Sequence, residues 1–195
     1  MRILVVYCHP VPESYGAALR DAVMGALGQA GHETRLIDLY AEKFDPVMGC
    51  EERRTYNEMQ SHQHPVPEHA AHLAWAEGLV FVYPTWWYGL PAMLKGWLDR
   101  VWTPEITFSI SPGTRRITPL MTHIRKLGVV TTCGAPRWWS HVVGHPGKRT
   151  ILRGVRALFA RRCKTVFLAH YLMDVSTPQS RLAFLDRVER TMRRF

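Results

Sequence analysis

Along the 195-residue chain, short continuous apolar runs alternate with stretches in which apolar residues recur every three or four positions. The first run, residues 3–7, is β-branched and short enough for a strand, and the loop Cys8-His9-Pro10-Val11-Pro12-Glu13 follows it. Ser14 stands where an N-cap belongs, ahead of a helix that carries Ala18, Leu19, Ala22, Val23, Ala26 and Leu27 and that Gly31 ends. Residues 34–39 predict a second strand. Strand, helix and strand in this span form a βαβ unit, which implies a parallel sheet and a right-handed crossover. A helix is expected over residues 70–76, then a third, fully buried strand over 79–83. Another helix opens at Pro91, with Met93, Leu94, Trp97, Leu98 and Val101 on one stripe. Residues 126–133 and 165–170 supply strands four and five. A basic amphipathic helix begins at Lys148, and a last helix, beginning near Pro178, carries Leu182, Leu185 and Val188 on one side. Residues 40–67 read as irregular and polar. Residues 103–123 read as irregular around the β-rich 106–110, and residues 134–139 as a loop.

Five strands alternating with helices predict one α/β domain over residues 1–195: a five-stranded parallel sheet, order 2-1-3-4-5, with helices on both faces. That order gathers the carboxyl ends of strands one, three and four at a switch point, where open α/β sheets bind ligands. Three loops then become neighbours: His9 to Tyr15, Pro84 to Tyr88, and Thr131 to Trp139. The stretch Pro84-Thr85-Trp86-Trp87-Tyr88-Gly89-Leu90-Pro91 is the one around which the others are organised. Prolines at each end hold its backbone amides in place, and its rings form an apolar wall suited to a flat heteroaromatic ligand; packing beneath a surface turn is the competing reading. The first loop lacks GxGxxG, which argues against a dinucleotide-binding Rossmann unit. Its Ser14 hydroxyl and the first amides of the helix offer a seat for phosphate.

Composition narrows the picture further. The chain carries a net charge of +9, with much of the basicity after residue 147. Such arrays usually form a solvated face, and their sparse interleaving with aromatics gives no support for nucleic-acid binding. Cys8, Cys50, Cys133 and Cys163 form no CxxC pair, so buried free thiols are expected rather than a zinc ribbon or dithiol site. His62, His64, His69 and His72 crowd together, but Pro65 and Pro67 break any zinc spacing, and no metal is expected. No run approaches the roughly 20 apolar residues of a membrane span, and the start MRILVVYCHP lacks a signal peptide's apolar region. A cytoplasmic protein is the expectation.

Taken together, PTWWYGLPAMLKGWLDRV from Pro84 to Val101, His9-Pro10 with Ser14-Tyr15, and Thr131-Thr132-Cys133-Gly134 resemble the flavodoxin-like NAD(P)H:quinone oxidoreductase family, the DT-diaphorase type and its shorter bacterial relatives. The resemblance implies a tightly bound flavin, FAD or FMN, with NAD(P)H as hydride donor and a quinone or similar small molecule as acceptor in a ping-pong cycle. It implies that His9, Ser14, Tyr15 and Gly16 hold the phosphate end, while Pro84, Thr85, Trp86, Trp87, Tyr88, Thr131, Thr132, Cys133 and Gly134 surround the ring. The family places a tyrosine and a histidine beside the ring; the ungapped positions are Trp139 and His145, the first without a phenol. Cys133 stands where the family often has glycine. The resemblance further implies a homodimer, and it leaves an alternative: an ancillary regulatory subunit of a membrane potassium-efflux system. The late basic residues are candidates for the extra phosphate of NADPH, with no single arginine assigned.

Overall fold

The structure, a computed structural model, describes residues 1–57, 64–111, 113 and 116–195. In chain order the elements are β1 (Arg2–Tyr7), α1 (Tyr15–Gln29), β2 (Glu33–Asp38), α2 (Cys50–Thr55), α3 (Pro67–Trp75), β3 (Gly78–Thr85) and α4 (Ala92–Val101). There follow the hairpin strands β4 (Phe108–Ile110) and β5 (Ile117–Pro119), then β6 (Lys126–Cys133), α5 (Arg137–Val142), α6 (Pro146–Arg149), β7 (Lys164–His170) and α7 (Pro178–Met192). The main sheet runs β2-β1-β3-β6-β7, every pair parallel, which is the expected 2-1-3-4-5 order once the two hairpin strands are set aside.

Side chains alternate across a strand, so β1 serves two cores. Ile3, Val5 and Tyr7 pack with Leu19, Val23, Phe184 and Val188 of α1 and α7. Leu4, Val6 and Cys8 pack on the opposite face with Leu73, Leu94 and Trp97 of α3 and α4. Burial on both faces is why the strands read as continuous apolar runs instead of alternating ones. Helix α1 begins where the sequence says it should, because Ser14 Oγ accepts from the Ala17 amide at 3.2 Å. Gly31, at φ +75°, turns the chain out of it.

Several expectations are corrected. The span 40–67 is not wholly irregular: Cys50–Thr55 forms α2, a polar helix with no buried residue and hence no apolar stripe to reveal it. Helix α3 starts at Pro67 rather than at residue 70, since proline is favourable in a first turn. Helix α5 begins within the expected loop, at Arg137. Cys50 is exposed, while Cys8, Cys133 and Cys163 are buried free thiols. On α7 the inward set is Phe184, Val188 and Met192, and Leu182 is 61% exposed. Of the four clustered histidines, His62 lies outside the described residues. Among the described residues no group of His, Cys, Asp or Glu is placed to hold a metal, and no helix is long and apolar enough to cross a membrane.

Two of those histidines are built into the core as acceptors. Trp97 Nε1 donates to His69 Nδ1 at 3.1 Å, and the Val66 amide donates to His64 Nδ1 at 3.1 Å. Burial lowers the pKa of both, and lowers His72 and His170 as well. The folded protein therefore resists protons that the unfolded chain accepts. Stability should be full above the ordinary histidine value of 6.5 and fall as pH drops through the depressed folded values. Urea denaturation between pH about 8 and about 5 checks this, and a stability that is flat across that window would contradict it.

Glycine supplies a second test. A methyl group on Gly96 of α4 would run into the backbone of Pro46, with Pro46 Cα only 2.7 Å away, so the helix and the preceding loop touch only because that side chain is missing. Gly25 of α1 has nothing within 4 Å of such a group. Gly96→Ala should cost about 1–3 kcal/mol, whereas Gly25→Ala should add up to about 1 kcal/mol. Paired denaturant melts read both.

Candidate functional site

Helix α1 returns β1 to one side and the next crossover leads to β3 on the other, so the chain opens a crevice at the carboxyl ends of β1 and β3. There lies a cleft of about 590 Å³ lined by His9, Pro84, Thr85, Trp86, Trp87, Thr132, Gly134, Met173 and Asp174. That volume falls within the range of about 300–1,000 Å³ usual for small-molecule sites. A smaller hollow of about 220 Å³ shares Thr85, Trp87 and Gly134 with it and adds Tyr88, Cys133, Ala135 and Ser140.

The aromatic wall is held in an unfavourable backbone conformation. Trp87 and Tyr88 both have positive φ, +47° and +61°, and the Gly89 amide closes the turn onto the Trp86 carbonyl at 2.9 Å. Such tight turns with two left-handed residues are ordinarily built from Asn-Gly. Two large aromatics here carry strain of roughly 1 kcal/mol or more each. Burial does not compensate for it at Trp87, which is 96% exposed, while Tyr88 is half-buried. The turn is braced from outside. Trp139 Nε1 donates to Tyr88 Oη at 2.9 Å, and the Gly147 amide donates to the Tyr88 carbonyl at 3.2 Å.

Opposite the turn, β3 and β6 end in register, Pro84 beside Thr132 and Thr85 beside Cys133. Beneath the cleft the Thr85 and Thr131 hydroxyls are 2.9 Å apart, and the Cys133 thiol donates to Thr85 Oγ1 at 3.3 Å. Burial pushes the pKa of that thiol up, so it stays a protonated donor. Gly134 gives the Asp174 carboxylate its place: a methyl group there would come within 2.6 Å of Asp174 Oδ2 and push that side chain aside. The loop after β7 is drawn over by Leu172, whose amide donates to the Ala135 carbonyl at 3.4 Å, and this sets the Asp174 carboxylate above Gly134.

At the β1 end, His9 Nδ1 lies 3.1 Å from the Val11 amide and 3.3 Å from the Val11 carbonyl, which fixes the ring against its own loop. The His9 and Trp86 rings lie 6.4 Å apart between centroids.

The cleft thus brings together His9, Pro84, Thr85, Trp86, Trp87, Thr132 and Gly134 of the residues expected from the sequence, with Tyr88 and Cys133 in the adjoining hollow. The others lie elsewhere. Ser14 caps α1 and contacts the Tyr7 hydroxyl at 3.4 Å. Tyr15 donates to the Arg181 carbonyl at 2.7 Å and so ties α1 to α7. Gly16 lies against the His9 ring, which a methyl group there would approach to 3.3 Å. Thr131 is buried beneath the cleft, and Trp139 reaches it only through Tyr88. His145 lines a separate hollow with His141, where burial and then the His141 charge hold its pKa below the usual value. Sequence reasoning missed Met173 and Asp174. Their only signal was position, just past the carboxyl end of the fifth strand.

A family model described as "Flavodoxin-like fold" matches residues 1–193. The chain is 35% identical over 108 residues to an uncharacterized NAD(P)H oxidoreductase, YcaK, of Escherichia coli, a match covering 55% of each. The matched stretches span about half the length of the first curated relatives, 44%, 55% and 45%. Among solved structures, Smu.1420 of Streptococcus mutans superposes with a TM-score of 0.86 at 26% identity over 100% of both chains. An NAD(P)H:quinone oxidoreductase of Methanothermobacter marburgensis superposes with a TM-score of 0.80 at 26% identity, covering 99% of this chain and 96% of that one.

Because the Trp87 side chain is almost wholly in solvent, replacing it loses little packing. Trp87→Asn places a residue that tolerates the left-handed region in the turn and should raise the unfolding free energy by about 0.5–1 kcal/mol. A denaturant melt of the ligand-free protein reads the gain; a loss would mean that the turn is not strained.

Proposed function

Since the chain belongs to the family described as Flavodoxin-like fold, we propose that it is a flavin-dependent NAD(P)H oxidoreductase that reduces quinones or similar small acceptors, residues 1–195 acting as one flavin-binding domain. The observation that carries this reading is the strained turn at Trp87 and Tyr88, with the Trp87 ring in solvent, set across a cleft from the Thr132–Gly134 edge of β6 at the switch point. Strain retained at an exposed turn points to function. The likeness to the E. coli NAD(P)H oxidoreductase supports the nicotinamide half of this reading, and that to the Methanothermobacter NAD(P)H:quinone oxidoreductase supports the quinone half.

The residues present suit a flavin, FMN or FAD. Pro84 and Trp86 give an apolar wall, Gly134 keeps the opposite edge free of a side chain, and Thr85 and Thr132 supply polar atoms between them. A bound flavin supplies a two-electron carrier that accepts hydride from a reduced nicotinamide and returns it to an acceptor. The backbone amides of the turn stand ready as donors to the ring's rim and stabilise negative charge there. The His9 ring offers a donor nitrogen toward a phosphate, while the Asp174 carboxylate repels one, so an anionic tail is directed to the β1 side and the head of α1. Trp139 holds Tyr88 in place, while His145 lies in the separate hollow beside His141, outside the cleft. Trp87, open to solvent, leaves room for donor and acceptor to use one face of the cleft in turn. A homodimer and a cytoplasmic location belong to the same reading.

The test is a visible spectrum of the purified protein. Flavin bands that bleach with NADH or NADPH under anaerobic conditions and return on addition of a quinone are expected. A colourless protein that takes up neither FMN nor FAD would end the proposal.

A further inference from the structure

Gly147, whose amide is bonded to the Tyr88 carbonyl, begins a helical run behind the cleft's turn. The run starts as α6, passes through a π-turn at Thr150–Gly154 and ends in a 3₁₀ turn at Val155–Leu158. π-turns within helices are uncommon and cluster at functional sites. Here the π-turn carries Arg153, four residues beyond Arg149, and these two arginines line two hollows at once. One, of about 210 Å³, also holds His141, His145 and Lys148. The other, of about 830 Å³, also holds Arg53 and Lys95, with Tyr56, Leu98 and Trp102 as apolar walls.

The charge in this crevice is almost entirely of one sign. Asp99 is the acidic residue on its wall, and Lys95 engages it at 2.5 and 2.7 Å. Among the described residues, Arg53, Lys148, Arg149 and Arg153 have no carboxylate within ion-pair distance. Unpaired cations that face a shared concavity repel one another and are relieved by an anion. Arginines in pairs suit phosphate in particular, because the guanidinium fork donates two parallel hydrogen bonds. The aromatic and leucine walls beside them suit a flat base.

We infer that this crevice receives the adenosine 2′-phosphate end of the reduced nicotinamide donor, with Arg149 and Arg153 on the phosphate and Tyr56 and Trp102 along the base, so that the chain selects NADPH over NADH. The inference rests on the oxidoreductase reading for the nicotinamide end. It reaches a part of the molecule that the cleft does not include.

Isothermal titration of the full chain with 2′,5′-ADP, 5′-AMP and inorganic phosphate tests it without turnover. The 2′,5′-ADP should bind at least about tenfold more tightly than 5′-AMP, as expected for one added charge-assisted contact. That advantage should shrink as salt rises, and it should disappear in Arg149→Gln/Arg153→Gln. Both side chains are exposed, and circular dichroism verifies that the variant is folded. Inorganic phosphate that binds as well as 2′,5′-ADP would reduce the site to a simple anion hole and overturn the inference, as would equal binding of the two nucleotides. Steady-state kinetics separates this failure from the failure of the parent reading. A flavoenzyme that uses NADH and NADPH equally loses the phosphate site alone. A protein that prefers 2′,5′-ADP but takes up no flavin loses the oxidoreductase reading and keeps the site.

Discussion

Covering a parallel sheet on both faces leaves no place for polar chemistry except its ends. Residues Ile3 to Cys8 of the first strand region and Leu79 to Tyr83 of the third are at most 3% exposed. The polar side chains that can face a ligand therefore collect where the strands stop. Thr85, Thr132 and His9 are all residues at or just past a strand's carboxyl end. The reversal of winding between β1 and β3 keeps helices from closing over that edge, and the cleft is the space it leaves.

On this foundation the cleft is shaped by residues that ordinary folding preferences would not choose. A Trp-Tyr pair occupies a turn suited to Asn-Gly, and at Gly134 an added side chain would displace the Asp174 carboxylate of a distant loop. Such departures from local preference are what a site retains when the ligand, and not the fold, sets the requirement. The braces from Trp139 and Gly147 hold the strained turn, and through them the turn is joined mechanically to the basic helical run behind it.

The architecture was legible because its signals were local. Ser14 and Gly31 bound α1, and the β-branched run with Gly128 marked β6 to the residue. Helix α2, Cys-Glu-Glu-Arg-Arg-Thr, buries nothing and so leaves no periodicity to read. On α7 the buried residues Phe184, Val188 and Met192 are spaced four apart, while Leu182, one of the apolar residues that mark a stripe in the sequence, is exposed. The site was half legible. The loops after the first, third and fourth sheet strands were foreseen as neighbours, but the contact of Asp174 with Gly134 joins positions forty residues apart, and no pattern within either loop announces it. The left-handed Trp87 and Tyr88 were equally hidden, since nothing in their residue types favours that conformation.

The central claim is that the cleft between the Trp86–Tyr88 turn and Thr132–Gly134 is a flavin seat. Titration of flavin-free protein with FMN and with FAD, followed through quenching of the flavin's own fluorescence, tests it most directly. The account predicts saturable quenching by one or both, at one flavin per chain, abolished by Gly134→Val and retained by a surface change such as Leu182→Ala. Quenching that persists in Gly134→Val, or none in the unaltered protein, would contradict it.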